Sequence, residues 1–136
     1  MRLDSSVPPF AVPPQLSDLA SHLSARIRPR FPRWLAPLVR GDVVAITLGR
    51  SIYLRDGVAA RSESDLTRIL LHELAHVRQV AELGLIRFLF RYVRDYFRLR
   101  TSGLSASAAY SAIPFEIEAR AAETSLSRSG IEERPV

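Results

Sequence analysis

The fold of this chain is decided by one stretch, Leu70-Leu71-His72-Glu73-Leu74-Ala75-His76-Val77. Its apolar residues recur at helical spacing, which predicts an amphipathic helix. Residues four apart on a helix lie one above the other, so His72 and His76 share a face and Glu73 lies beside it. This is the H-E-x-x-H pattern, in which two histidines bind zinc and the glutamate acts as a general base.

The ends of this helix are marked in the sequence. Ser62 followed by Asp65 three residues later resembles a capping box, and an acidic residue suits the positive end of the helix dipole. Gly84 occupies the place where a glycine commonly ends a helix. The two histidines are therefore expected in the middle of a helix with well-marked ends.

A β-hairpin is predicted just before the helix. Apolar residues alternate over 42–48 and again over 52–54, and the connector between them contains Gly49. We expect the apolar face of the first strand to carry Val44, Ile46 and Leu48, matched after the turn by Ile52 and Leu54.

Three further helices are expected. The first runs from Pro14 to Ile27 and ends at Pro29, after which Trp34 is expected to fill a gap in the core. The second covers 85–100, and the third begins at Pro114, a residue favoured at the first helical position. The prediction is therefore an α+β fold, mostly helical, with a short hairpin packed beside the motif helix.

Composition limits the domain organisation and the partners. The chain has 136 residues, a formal net charge of +5 and no cysteine, so metal ligands must be nitrogen or oxygen. We expect a proline-rich extended segment over 1–14, one domain over 15–126 and a polar tail over 127–136. No nucleic-acid module, signal peptide or membrane span is recognised, so a cytoplasmic protein that does not bind nucleic acid is expected.

The helix over 85–100 is basic and aromatic. Four arginines recur at steps of four, three and four, namely Arg87, Arg91, Arg94 and Arg98. Such a face could lie on an anionic membrane. Aromatic stripes on helices more often belong to the core, so a peripheral helix with its aromatic side packed inward is the expectation.

A hydrolytic zinc site needs a third protein ligand. One metalloprotease class places it six residues after the second histidine, but the glycine and histidine of that pattern are Gln79 and Glu82 here. A glutamate on the last helix is the other solution. Glu116 and Glu118 are both candidates, but they diverge by about 200° around the helix, so only one can face the site. Glu123 lies farther along and is less favoured.

The Glu116-Ile117-Glu118-Ala119 run, after H-E-x-x-H, resembles the glutamate-zincin metallopeptidases, including the integral-membrane CaaX-processing type. That resemblance implies that Glu116 is the third ligand, because it matches the first Glu of the family's E-x-x-A-D pattern. The Asp of that pattern corresponds to Arg120, so this chain departs from the family there, and Glu118 stays open as the alternative.

A closer resemblance covers residues 42–79. The pattern t-x-G-x-x-I starts at Thr47 in the hairpin, and the pattern L-x-H-E-L-x-H-V-x-Q starts at Leu70 within the helix. Together they resemble a family of proposed metallopeptidase domains associated with extracellular contractile injection systems. The resemblance implies a small zincin-like domain and a possible place in a larger protein assembly.

These observations lead to a functional expectation. We expect a zinc metallopeptidase that hydrolyses a peptide or protein substrate. One Zn²⁺ per chain would be held by His72, His76 and Glu116. A zinc-activated water would attack the peptide bond, with Glu73 as general base. Tyr110 is the first candidate for a donor to the transition state, followed by Tyr92. The alternative is a metal-binding but non-catalytic scaffolding module of a larger assembly.

Overall fold

A computed structural model describes residues 12–124, so the expectations for residues 1–11 and for the tail lie outside the described residues. Within that range the α+β prediction is confirmed. The helices are α1 (Pro14–His22), α2 (Glu63–Leu83), α3 (Leu85–Thr101), α4 (Ala106–Ala112) and α5 (Pro114–Ala122). The strands are β1 (Arg26–Arg28), β2 (Ala45–Leu48) and β3 (Ser51–Leu54), and single 3₁₀ turns cover Ala36–Leu38 and Val58–Ala60.

The strands form a small mixed sheet in the order β1-β3-β2. The predicted hairpin of β2 and β3 is confirmed, with Thr47 opposite Ile52 and Ala45 opposite Leu54. Directly opposed residues project from the same face of a sheet. Because Ile52 and Leu54 are fully buried, Ala45 and Thr47 also face inward.

The expected apolar face was therefore wrong for Ile46 and Leu48, whereas Val44, just before the strand, packs against the core as expected. Leu48 is 42% exposed, and Ile46 lies on the same outward side. The register of the hairpin, set by the short turn at Gly49, places the less apolar residues of β2 against the helix. As a consequence, the Thr47 hydroxyl points toward α2.

Helix α2 is the central element, and its predicted ends are confirmed. The Ser62 side chain accepts a hydrogen bond from the Asp65 backbone N–H at 3.3 Å, and Gly84 ends the helix with φ of +86°. Its buried side packs on the sheet and on α1. The fully or almost fully buried core side chains there are Leu16, Ile52, Leu54, Leu70, Leu74 and Val77.

The segment before the hairpin differs from expectation. Helix α1 ends at His22, and Ser24 adopts a positive φ of 55° that breaks the helix well before Pro29. The chain then forms β1, whose first backbone N–H donates to the Arg50 carbonyl. Trp34 does not fill the core: it is 60% exposed, and the neighbouring Leu35 is buried instead.

The side of helix α3 that faces the core also differs from expectation. Phe88 is buried and stacks on Phe115, but Phe90 and Phe97 are mostly exposed. The expectation that the aromatic side packs inward is thus wrong for these two residues, because the contacts of α3 with α2, α4 and α5 lie on the side of the helix that carries Phe88 and Tyr92. None of the helices within residues 12–124 combines the length and apolarity needed to cross a membrane.

Helix α5 completes the site. It begins at Pro114, as predicted, and packs along α2 more extensively than any other element. Glu116 and Ala119 are buried in this contact. The packing of α5 against α2 therefore carries a carboxylate to the two histidines.

Candidate metal centre

Two imidazoles and one carboxylate converge between α2 and α5. The Nε2 atoms of His72 and His76 lie 3.0 and 3.2 Å from Oε1 of Glu116. One ligand atom from each residue falls within 4.8 Å of the others, so the three side chains lie close enough to hold a metal ion. The structure thus brings together the three residues that the sequence placed on two separate helices.

The Nδ1 atoms of both histidines also have hydrogen-bond partners. Nδ1 of His72 lies 2.8 Å from Oε2 of Glu123, and Nδ1 of His76 lies 2.9 Å from Oε1 of Gln79. An oxygen acceptor at Nδ1 keeps a proton there, fixes the ring orientation and leaves Nε2 to a metal. Both histidines therefore have the support that is typical of metal-binding histidines.

The electrostatics of the cluster also suit a cation. Burial would lower the pKa of His72, but the Glu116 hydrogen bond and the charge of Glu73 outweigh burial and raise that pKa to about 9. Burial would raise the pKa of Glu116, but its hydrogen bonds to both histidines hold that pKa well below its usual range. Three carboxylates, those of Glu73, Glu116 and Glu123, thus lie around the two imidazoles, and such oxygen and nitrogen donors suit a zinc ion.

Glu73 is positioned beside the cluster and is only 8% exposed. The Thr47 hydroxyl donates to its Oε1 at 2.9 Å. Burial raises the pKa of Glu73, and the nearby His76 and His72 and the Thr47 hydrogen bond oppose that shift in part. A buried carboxylate with a raised pKa and a fixed orientation is suited to accept a proton from a nearby water.

Two tyrosines reach the same region. The Tyr92 hydroxyl donates to Oε2 of Glu116 at 2.6 Å, while Tyr110 lines the same cleft and is 46% exposed. Burial and the Glu116 charge raise the pKa of both hydroxyls above their usual range, so both remain protonated donors. Tyr110, the first candidate from sequence, is the more accessible of the two, and Tyr92 is engaged with Glu116.

Glu118, the alternative third ligand, lies elsewhere. It accepts hydrogen bonds from Gln79 at 2.9 Å and from Arg78 at 3.3 Å. Arg120 does not reach the histidines either, because its guanidinium donates to the Ser111 carbonyl. Glu123 occupies the supporting position beside His72 that Arg120 cannot fill.

The sequence indicated no supporting role for Thr47, Gln79 or Glu123, of which Glu123 was considered only as a less favoured third ligand. Glu123 follows Glu116 by seven residues, a spacing that returns to the same helix face. Gln79 follows His76 by three, which places its amide one turn beyond the imidazole. Thr47 could be found only from the hairpin register, which depends on the turn.

The cluster opens into a cleft of about 800 Å³. One wall is formed by residues 45–47 of β2 and the two residues before the strand, and Tyr92 and Tyr110 also line the cleft. Strand β2 lies at the edge of the sheet, so one side of its backbone is unpaired by other strands of the described chain. The arrangement can thus hold a metal with an open side that faces an edge strand.

Comparison with known protein families links the first half of this site to one family. Residues 38–84 match the model of the eCIS core domain, where eCIS denotes extracellular contractile injection systems. The match covers about a third of the chain, and over the hairpin and the motif helix it confirms the resemblance to a domain of extracellular contractile injection systems. It includes His72, Glu73 and His76 but ends at Gly84, so Glu116 and Glu123 lie beyond it.

No curated protein and no solved structure matches this chain.

Proposed function

We propose that this protein is a zinc-dependent metallopeptidase whose metal is held by His72, His76 and Glu116. The observation that carries the proposal is the convergence of both Nε2 atoms on one Glu116 oxygen, with both Nδ1 atoms held by oxygen acceptors. Two histidines and one glutamate are a common ligand set of catalytic zinc, and the cleft leaves one side of the cluster open.

When bound, zinc would supply the Lewis acid that acidifies water and polarises a substrate carbonyl. The Glu73 carboxylate accepts the proton of the attacking water as the water oxygen bonds to the carbonyl carbon. As the C–N bond breaks, Glu73 delivers that proton to the leaving amine. Thr47 holds Glu73 in place, and Tyr110 is the proposed donor to the oxygen that gains charge.

The proposed substrate is an extended peptide segment. The exposed backbone edge of β2 can accept a further strand through main-chain hydrogen bonds. Because β2 lines the cleft beside Glu73, a peptide added there would run past the metal cluster. Main-chain recognition favours unfolded or loop segments of proteins over small molecules.

Peptide hydrolysis is tested with the purified full chain loaded with zinc and a proteome-derived peptide mixture, with new termini detected by mass spectrometry. We expect cleavage that a chelator stops and zinc restores. Glu73→Gln should retain zinc and lower the cleavage rate about 100- to 10,000-fold, because the proton acceptor is lost. Glu82→Gln, an exposed change on the same helix, is the matched control and should leave the rate unchanged.

Cleavage that persists in Glu73→Gln, or that is indifferent to chelator, would contradict the proposal. Zinc binding without cleavage in the wild-type protein would instead favour the second candidate, a non-catalytic metal-binding component of a larger assembly. The match of residues 38–84 to the eCIS core domain supports that candidate, because such injection systems are multi-protein assemblies.

A further inference from the structure

Helix α3 carries an apolar stripe that nothing within residues 12–124 covers. Ile86, Phe90, Val93 and Phe97 recur at steps of four, three and four, and they are 79%, 67%, 48% and 60% exposed. Side chains at these steps lie along one face of a helix. A continuous row of large apolar side chains in water is costly and indicates a surface that binds something.

A stripe of arginines runs parallel to the apolar one. Arg87, Arg91, Arg94 and Arg98 have the same spacing, displaced by one residue, or about 100° around the helix. Within residues 12–124 no carboxylate pairs with Arg87, Arg91 or Arg98, whereas Arg94 contacts Asp95 at 3.2 Å. The guanidinium groups thus flank the apolar stripe and are largely available to an anionic partner.

Most of the net charge of the chain is concentrated here. Helix α3 contains five arginines and one aspartate, a net charge of +4, whereas the whole chain has +5. A second copy of this helix would bring a further +4 alongside, so self-association through the stripe is opposed by like charge. The charge instead complements an anionic surface.

We propose that α3 is a docking helix for an anionic lipid surface. A helix with an apolar aromatic face and an arginine-rich polar face lies in the plane of the membrane interface, with the apolar side among the acyl chains. Arginines displaced by about a quarter turn extend their stems along the apolar boundary and reach the phosphates. The stripe lies beyond the segment that matches the eCIS core domain, and none of its residues belongs to the metal centre.

Co-sedimentation of the full chain with phosphatidylcholine vesicles, with and without phosphatidylglycerol, tests this proposal. We expect binding to the vesicles that contain phosphatidylglycerol, little to those without it, and weaker binding at high salt. The triple variant Arg87→Gln, Arg91→Gln, Arg98→Gln should bind about 100-fold more weakly, since each arginine contributes roughly fivefold. The double variant Phe90→Ser, Phe97→Ser should also lose binding.

Matched controls use exposed residues away from α3. A second arginine triple, Arg28→Gln, Arg30→Gln, Arg33→Gln, removes the same charge, and Trp34→Ser with Leu38→Ser removes exposed apolar side chains. Both controls should keep at least half of the vesicle affinity. Circular dichroism of each variant checks that it is folded.

Three results would overturn the proposal. The first is failure of the intact protein to bind phosphatidylglycerol vesicles, as expected if the stripe is covered by a protein partner or by the chain ends. The second is an equal loss of binding in the α3 variants and the control variants. The third is a dimer in solution that Phe90→Ser with Phe97→Ser dissociates, which would assign the stripe to a second copy.

Discussion

Helices α2 and α3 follow one another with only Gly84 between them, yet the apolar residues of α2 are mostly buried and those of α3 are mostly exposed. In α2 the apolar side chains are buried against the sheet, α1 and α5, and the polar residues among them are hydrogen bonded to Thr47, to α5 or to one another. In α3 Phe88 is the one buried residue, and six large apolar side chains are exposed, four of which form the outward stripe.

The difference shows what helical periodicity can and cannot predict. Both helices have apolar residues at helical spacing, and both were correctly predicted as helices. Whether an apolar stripe becomes core depends on the elements that lie against it, and α3 has partners along one side only. A buried stripe determines the stability of the chain, whereas an exposed stripe determines what the chain binds.

The largest contrast between the two helices is expected in stability. Leu74 is 1% exposed, and Leu74→Ala should lower the free energy of unfolding by about 2–5 kcal/mol, because it removes buried contacts and leaves a cavity. Ile86→Ala removes a side chain of similar size from α3 and should change the free energy of unfolding by less than about 0.5 kcal/mol. Urea unfolding measures both, and a comparable loss in the two variants would mean that the α3 stripe is covered in the folded chain.

A second contrast concerns the support of the metal ligands on α2. Glu123→Ala should weaken zinc binding about 10- to 100-fold, because His72 loses the acceptor that orients its ring. Competition with a chromophoric chelator measures the affinity. Glu82→Ala removes an exposed carboxylate from α2 and serves as the control. Equal affinities for wild type and Glu123→Ala would exclude the supporting role.

The smallest effect is a pH dependence of the metal-free protein. Because the pKa of His72 is raised from 6.5 to about 9, its protonated form stabilises the fold fully below pH 6.5. That contribution is lost as the pH rises from 6.5 through 9. The thermal unfolding midpoint, measured with chelator present, should therefore fall over this window, and less so in His72→Gln. A midpoint that rises from pH 6.5 to 9 would contradict the charged pairing of His72 with Glu116.

Local signals in the sequence were sufficient for much of the fold. Ser62 and Gly84 mark the ends of α2, Pro114 marks the start of α5, and the turn at Gly49 marks the hairpin. Each signal acts through neighbouring residues, by capping, by a restricted φ or by alternation. Secondary structure that depends on such short-range interactions can be predicted from the local sequence, without knowledge of the rest of the chain.

Features that depend on distant contacts were missed. Strand β1 is three residues long and is held by a parallel partner about 25 positions away, so the helical spacing of Leu23 and Ile27 was misleading. The same holds for the site: the packing of α5 against α2 decides that Glu116 faces the histidines and that Glu118 faces Gln79 and Arg78. No spacing within α5 alone could make that choice.

The identity of the third zinc ligand is tested by the zinc content of three purified proteins, namely wild type, Glu116→Ala and Glu118→Ala. The two variants remove the same side chain from positions two residues apart on one helix, so they differ mainly in the face they alter. We expect one zinc per chain in the wild type and in Glu118→Ala, and loss of zinc in Glu116→Ala. Zinc retained in Glu116→Ala, or lost only in Glu118→Ala, would contradict this expectation.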